Sequence, residues 1–146
     1  MRIRHYIPQD LEPIAELERK HIKCGWSSEV LRQTLESPDT VMLVCEADGT
    51  AIGYGSFSKV ITEAQINNIC VELGFRGRGY GSEILTALEA EAVKRNCGEM
   101  TLEVAADNAA ARELYRKRGF SDLYTRKQYY GDKDAIVMRK IIKYKL

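Results

Sequence analysis

The chain has 146 residues, of which 45% are hydrophobic and 29% charged, and its formal net charge is +1. That length and composition fit one domain with a real core, spanning residues 1–146, and exclude a disordered chain. Mixed charge, with no basic stripe and no apolar run of membrane-spanning length, argues against direct nucleic-acid binding and against a membrane protein.

Residues 2–6 alternate and predict a short first strand. The opening residues carry no apolar leader, so a cytoplasmic location is expected. Residues 10–22 place Leu11, Ile14, Leu17 and Ile22 at helical spacing after an acidic start, with Pro13 tolerable in the first turn. A second short helix is predicted over 27–37, with a serine as N-cap. Residues 40–58 read as two strands turned at Asp48-Gly49, and residues 63–73 as a third. A helix follows from Ser82 to Arg95, with Ile84, Leu85, Leu88 and Ala92 on one face. Residues 99–106 form a strand, and 108–119 a helix closed by Gly119. Residues 124–142 read as a closing hairpin. The order implies one mixed α/β sheet with helices on both faces.

Four cysteines, Cys24, Cys45, Cys70 and Cys97, lie far apart with no C-x-x-C pair, which favours reduced, buried thiols over a metal site or disulfide. His5 and His21 are isolated, so no metal is expected.

The densest chemical signal is Arg76-Gly77-Arg78-Gly79-Tyr80-Gly81, between a strand and a helix. Glycine lets backbone N–H groups approach a ligand, and a helix start adds the positive end of its dipole. Two arginines supply charge and forked donors, so the stretch suits a diphosphate. A glycine-rich turn with two solvated arginines is the alternative. The spacing fits neither the nucleotide-hydrolysing loop nor the dinucleotide fingerprint.

Glu103 is the second signal. Leu102 and Val104 share one strand face, while Thr101, Glu103 and Ala105 share the other. A glutamate in mid-strand is costly in a covered sheet unless it borders a cavity or a partner. Partly withdrawn from water, it would suit a general base; a salt bridge at an open edge is the alternative. Leu114 is expected in the core, with Tyr115 turned about 100° around the helix. Asn108 is expected to cap that helix.

These segments together resemble the GNAT superfamily of N-acetyltransferases over nearly the whole chain. Arg76-x-x-Gly79-x-Gly81 is similar to its pyrophosphate loop, and Asn108-x-x-Ala111-x-x-Leu114-Tyr115-x-x-x-Gly119-Phe120 to its late signature. The tail, Arg126-x-x-Tyr129-Tyr130 and Asp134-Ala135-x-x-Met138, resembles the RimI-type ribosomal-protein alanine N-acetyltransferases.

The resemblance implies one mostly antiparallel sheet with a splayed central strand pair. It implies acetyl-CoA as donor, with no metal. The coenzyme would be held by the strand Ile69, Cys70 and Val71, by Arg76, Gly77, Arg78, Gly79, Tyr80, Gly81 and Ser82, and by Asn108. Glu103 would be the general base and Tyr115 the general acid, with a backbone N–H near Val71 at the thioester oxygen. Trp26, Tyr129 and Tyr130 would wall the acceptor site. The implied acceptor is the N-terminal α-amine of a protein, the N-terminal alanine of a small-subunit ribosomal protein. A small-molecule amine, a lysine side chain, or acyl-CoA binding without catalysis are the alternatives. Two positions depart from the family pattern: Gly25, where relatives often carry proline, and Asn67, where they often carry a larger apolar residue.

Overall fold

The computed structural model describes residues 1–22, 26–130 and 133–142. In chain order the elements are β1 (Arg2–His5), α1 (Leu11–His21), α2 (Ser28–Leu35), β2 (Thr40–Ala47), β3 (Thr50–Val60) and β4 (Glu63–Val71). They continue with α3 (Tyr80–Lys94), β5 (Glu99–Ala105), α4 (Ala109–Lys117), β6 (Ser121–Tyr130) and β7 (Lys133–Ile141). Short 3-10 turns at Pro8–Asp10 and Leu73–Phe75 lead into α1 and the glycine loop. The sequence of elements is the expected one, with several boundaries moved, among them the starts of α3 at Tyr80 and β6 at Ser121.

Seven strands form one sheet in the order β1-β2-β3-β4-β5-β7-β6. Every pairing is antiparallel except β4 with β5. The local devices are those the sequence advertises. Asp48 and Gly49 both adopt positive φ, 51° and 77°, and close the β2–β3 hairpin. The Ser27 hydroxyl caps α2 by accepting from the Val30 N–H, and Gly119 ends α4 at φ 94°.

Two cores sandwich the sheet. On one face α1 and α2 bring Ile14, Leu17 and Leu31 against Met42, Val44, Tyr54 and Cys70. On the other, α3 brings Ile84, Leu85 and Leu88 against Leu43, Phe57, Met100 and Leu102. Each such side chain contributes about 1.5–3 kcal/mol by leaving water. Helix α3 lies close to β3 because Gly55 has no side chain: a Cβ there would sit 2.5 Å from Ile84 Cγ2 and 2.9 Å from Leu88 Cδ1.

The central irregularity is on β4. Ser56 pairs with Asn68 and Phe57 with Ile66, so Asn67 is an extra residue, a β-bulge. Its amide donates to the Ser56 and Ser58 hydroxyls, 3.3 and 3.1 Å away. The parallel pairing of β4 with β5 covers only Glu63, Ala64 and Gln65, opposite Glu99, Met100 and Thr101. Beyond the bulge the two strands part.

Candidate active site

Parting leaves one edge of β4 uncovered. The Glu72 N–H donates to the Ile52 carbonyl at 2.7 Å, so that residue faces β3. Strand alternation then turns the N–H groups of Ile69 and Val71 the other way, toward the gap. At the same edge the Val71 carbonyl accepts from Arg76 Nε at 2.8 Å, tying the strand end to the loop that follows.

That loop is built around two left-handed glycines, Gly77 at φ 78° and Gly79 at φ 85°. No heavy atom lies within 4 Å of where a Cβ would stand at either position, so conformation and open space, not packing, select glycine here. Gly79 is the N-cap of α3, which explains why the helix starts two residues before the serine expected to begin it. Among the described residues, the backbone N–H groups from Gly77 to Ser82 have no acceptor. The buried Ser82 hydroxyl is also without a partner. Six consecutive donors and a helix start are therefore free to take up an anion. Arg78 stacks over the Phe75 ring at 5.5 Å, and Phe75 lies 6.3 Å from the Tyr80 ring.

Across the gap stands β5. Leu102 and Val104 enter the α3-side core, and Thr101 and Glu103 face the other way, as alternation requires. The face they occupy lies beyond the cover of α1 and α2 and forms the floor of a cleft of about 540 Å³. Asn67 from the bulge, Tyr124 and Arg126 from β6, and Val137 from β7 line it as well. Glu103 pairs with Val137, which pairs in turn with Tyr124, so the three form a row across the sheet. The Glu103 carboxylate is 27% exposed and lies 3.2 Å from the Arg126 guanidinium. Glu103 thus borders a cavity and also has a salt bridge. Arg126 is the residue that sequence reasoning missed here.

Helix α4 is oriented differently from the expectation. It has no fully buried residue; Tyr115, half-buried, packs on the α3-side core and lies 5.9 Å from the Phe120 ring. Leu114, expected in the core, instead lies by the start of α3, 3.7 Å from where a Gly81 Cβ would stand. The helix is short and its apolar surface is shared between the sheet and α3, so neither residue is sealed. Asn108 is the N-cap, accepting from the Ala111 N–H at 3.2 Å.

Cys70 is buried beside Tyr54, and burial pushes its thiol up to about 11. It stays protonated near neutral pH and is a poor nucleophile. Cys45 and Cys97 are buried and free as expected; Cys24 and Gly25 lie outside the described residues. Trp26 is half-buried against the α1–α2 core and does not line the cleft. Tyr129 and Tyr130 end β6 in the backbone, and their side chains lie outside the described residues. Among the described residues no group of three His, Cys, Asp or Glu side chains is placed to hold a metal, and no helix is long and apolar enough to cross a membrane.

Sequence reasoning also missed Glu18. It lies on the buried face of α1 and is fully inaccessible. The signal was available, since residue 18 falls seven positions after Leu11 and four after Ile14, inside the apolar stripe.

Comparison with known proteins agrees with this geometry. The model of the acetyltransferase (GNAT) family matches residues 9–120. The ribosomal protein bS18-alanine N-acetyltransferase of Salmonella typhimurium (strain LT2) is 32% identical over 133 residues, covering 88% of this chain and 89% of its own. The crystal structure of the ribosomal-protein-S18-alanine N-acetyltransferase from Escherichia coli superposes with a TM-score of 0.91 at 27% identity, covering 99% of this chain and 96% of that one. The fold is also that of a chain in the NatC complex bound to Gag peptide and CoA, with a TM-score of 0.82 at 22% identity over 98% of this chain and 100% of that one.

Proposed function

The chain belongs to the acetyltransferase (GNAT) family, and from that membership we propose that it moves an acetyl group from acetyl-CoA to the N-terminal α-amine of a protein, the N-terminal alanine of a small-subunit ribosomal protein. The observation that carries this reading is the parting of β4 from β5, which sets an unpaired strand edge beside the strand of Glu103.

The residues present fit the donor. Its diphosphate would take the N–H groups of Gly77 to Ser82, whose acceptors are otherwise missing, and Asn108 stands at the start of the neighbouring helix. Its amide arm would pair with the free edge of Ile69, Cys70 and Val71 as an added strand. When bound, the coenzyme supplies an acyl group activated as a thioester. The Val71 N–H, turned into the gap, would donate to the carbonyl oxygen as it gains charge.

Glu103 would take the proton of the incoming amine, directly or through water, from the floor of the cleft. Arg126 orients the carboxylate, and its positive charge disfavours an ammonium beside it, so the neutral, attacking form of the amine gains. Tyr115 would return a proton to the departing thiolate from the other face of the sheet. Transfer is direct, because the only thiol on the donor strand, Cys70, is buried and protonated. The bS18 acceptor is carried over from the Salmonella relative, whose name states it.

The test is a panel of acceptors: a peptide beginning with alanine in the sequence of the small-subunit protein, the same peptide already acetylated, a free lysine analogue and small polyamines. Mass spectrometry should place one acetyl group on the α-amine of the first peptide and on nothing else. Turnover of a polyamine or lysine analogue in preference to the peptide would overturn the acceptor assignment.

A further inference from the structure

Glu18 is a carboxylate with no exposed surface and no cationic partner among the described residues. Such a group is costly unless donors surround it. Three do: the Tyr54 hydroxyl and the Asn68 amide, 2.8 Å away, on Oε1, and the Trp26 backbone N–H on Oε2 at 3.0 Å. The donors come from β3, from β4 directly after the Asn67 bulge, and from the residue two places before α2. A single side chain on α1 therefore clamps the segment entering α2 onto the strand whose free edge faces the gap.

The position is specific. The two oxygens are divided between tasks, one holding the sheet and the other the Trp26 backbone. Helix α1 is fastened to the same strand end a second time, one turn later, where His21 Nε2 lies 2.8 Å from Glu72 Oε1. Nothing in packing requires a carboxylate at position 18, since its neighbours Ile14 and Leu17 are ordinary core residues. An apolar side chain there would fill the space without the clamp.

We propose that Glu18 is a positioning residue for the acceptor: by gripping Asn68 and the Trp26 backbone together it fixes the bulge at Asn67, whose side chain lines the cleft, relative to α1, so that the acceptor meets the donor at a set distance. This inference rests on the acyl-transfer reading above. Glu18 touches neither substrate.

Trp26 is the only tryptophan in the chain, so its fluorescence reports on the clamp directly. In Glu18→Gln an amide nitrogen replaces one of the accepting oxygens, and the clamp cannot satisfy all three donors in their present arrangement. The expected result is a red-shifted Trp26 emission with lower anisotropy, and a KM for the alanine peptide raised about tenfold, the size of one hydrogen bond to a charged group. KM for acetyl-CoA should stay within about twofold, since the loop from Gly77 to Ser82 is untouched. Unchanged emission and unchanged peptide KM, or equal rises in both KM values, would overturn the proposal.

Should Glu18→Gln fail to fold, Tyr54→Phe removes one donor and keeps the carboxylate. Its peptide KM should rise about threefold with the donor KM fixed, and the same two outcomes would overturn the proposal. If the wild-type enzyme acetylates a different amine, the acceptor assignment fails by itself. The clamp is then judged by the emission and by that amine's KM.

Discussion

The two halves of the sheet are built to different rules. Between β3 and β4 the ladder runs through eight residue pairs, with helices sealing both faces. Between β4 and β5 it lasts three pairs and stops. From β5 onward the helices cover one face, and the other is the cleft holding Glu103 and Arg126. In the first half the buried Glu18 carboxylate is held by three donors. In the second a charged pair sits half in water and can still exchange partners. The chemistry is confined to where pairing and coverage end together, so substitutions in the two halves should separate stability from turnover.

The largest separation is expected at Glu103. Glu103→Gln keeps the shape and removes the proton acceptor, so kcat should fall by about a hundredfold or more. Acetyl-CoA binding by calorimetry should be close to wild type, and so should the melting temperature, because the ion pair with Arg126 is partly solvated. A variant with full turnover would remove Glu103 from the base role. One with weakened coenzyme binding would place it at the donor instead.

On the sealed side the reverse is expected. Gly55→Ala drives a Cβ to within 2.5 Å of Ile84 Cγ2, and Ile84 is β-branched and stiff in its helix. Overpacking there should cost about 3 kcal/mol, the upper end for such insertions, read as a lower midpoint in urea. What enzyme remains folded should turn over normally. A loss of turnover without a loss of stability would mean that the two halves are coupled more tightly than the shared sheet implies.

The pH dependence of stability should also come from the sealed side. Both Arg4 guanidinium nitrogens grip Asp10, at 2.8 and 2.9 Å, and the Ile7 N–H adds a third bond. The Arg4 fork, followed by that N–H, holds the Asp10 carboxyl below the ordinary carboxylate range. A depressed folded-state value adds stability that is fully present above the unfolded value near 3.9 and is lost as pH falls through the folded one. Asp10→Asn should therefore cost about 2 kcal/mol at neutral pH and flatten the acid limb of melting temperature against pH. An acid limb of unchanged steepness would assign it to other carboxylates.

The same division marks what the sequence discloses. Elements were legible because their signals are local: the periodicity of α3, the Asp48-Gly49 turn, the alternation that puts Glu103 opposite Leu102. The glycine loop was legible too, although its helix starts at Tyr80 rather than Ser82, with Gly79 as the cap. Arg126 was not, since its meeting with Glu103 depends on β7 lying between β5 and β6. The exchange between Leu114 and Tyr115 depends on how α4 leans on α3, which no spacing states. Glu18 is the instructive miss. Its charge disguises a buried position, and only its donors, drawn from three separate elements, explain it.

The smallest effect gives the sharpest test of the loop, because the molecule contains its own control. Gly49 and Gly79 share nearly the same backbone, φ 77° and 85°, and neither would place a Cβ within 4 Å of any heavy atom. Alanine at either site meets the same left-handed strain, about 1 kcal/mol, or roughly 4 °C in melting temperature. Gly49 lies in a hairpin between β2 and β3, where that strain is the whole consequence. At Gly79 the Cβ would be added within the run of six N–H groups that lack an acceptor. Gly79→Ala should therefore raise KM for acetyl-CoA about fivefold beyond any change in Gly49→Ala, at equal loss of stability. If the two variants lose equally in both measurements, the glycines of the loop serve its turn alone, and the diphosphate lies elsewhere.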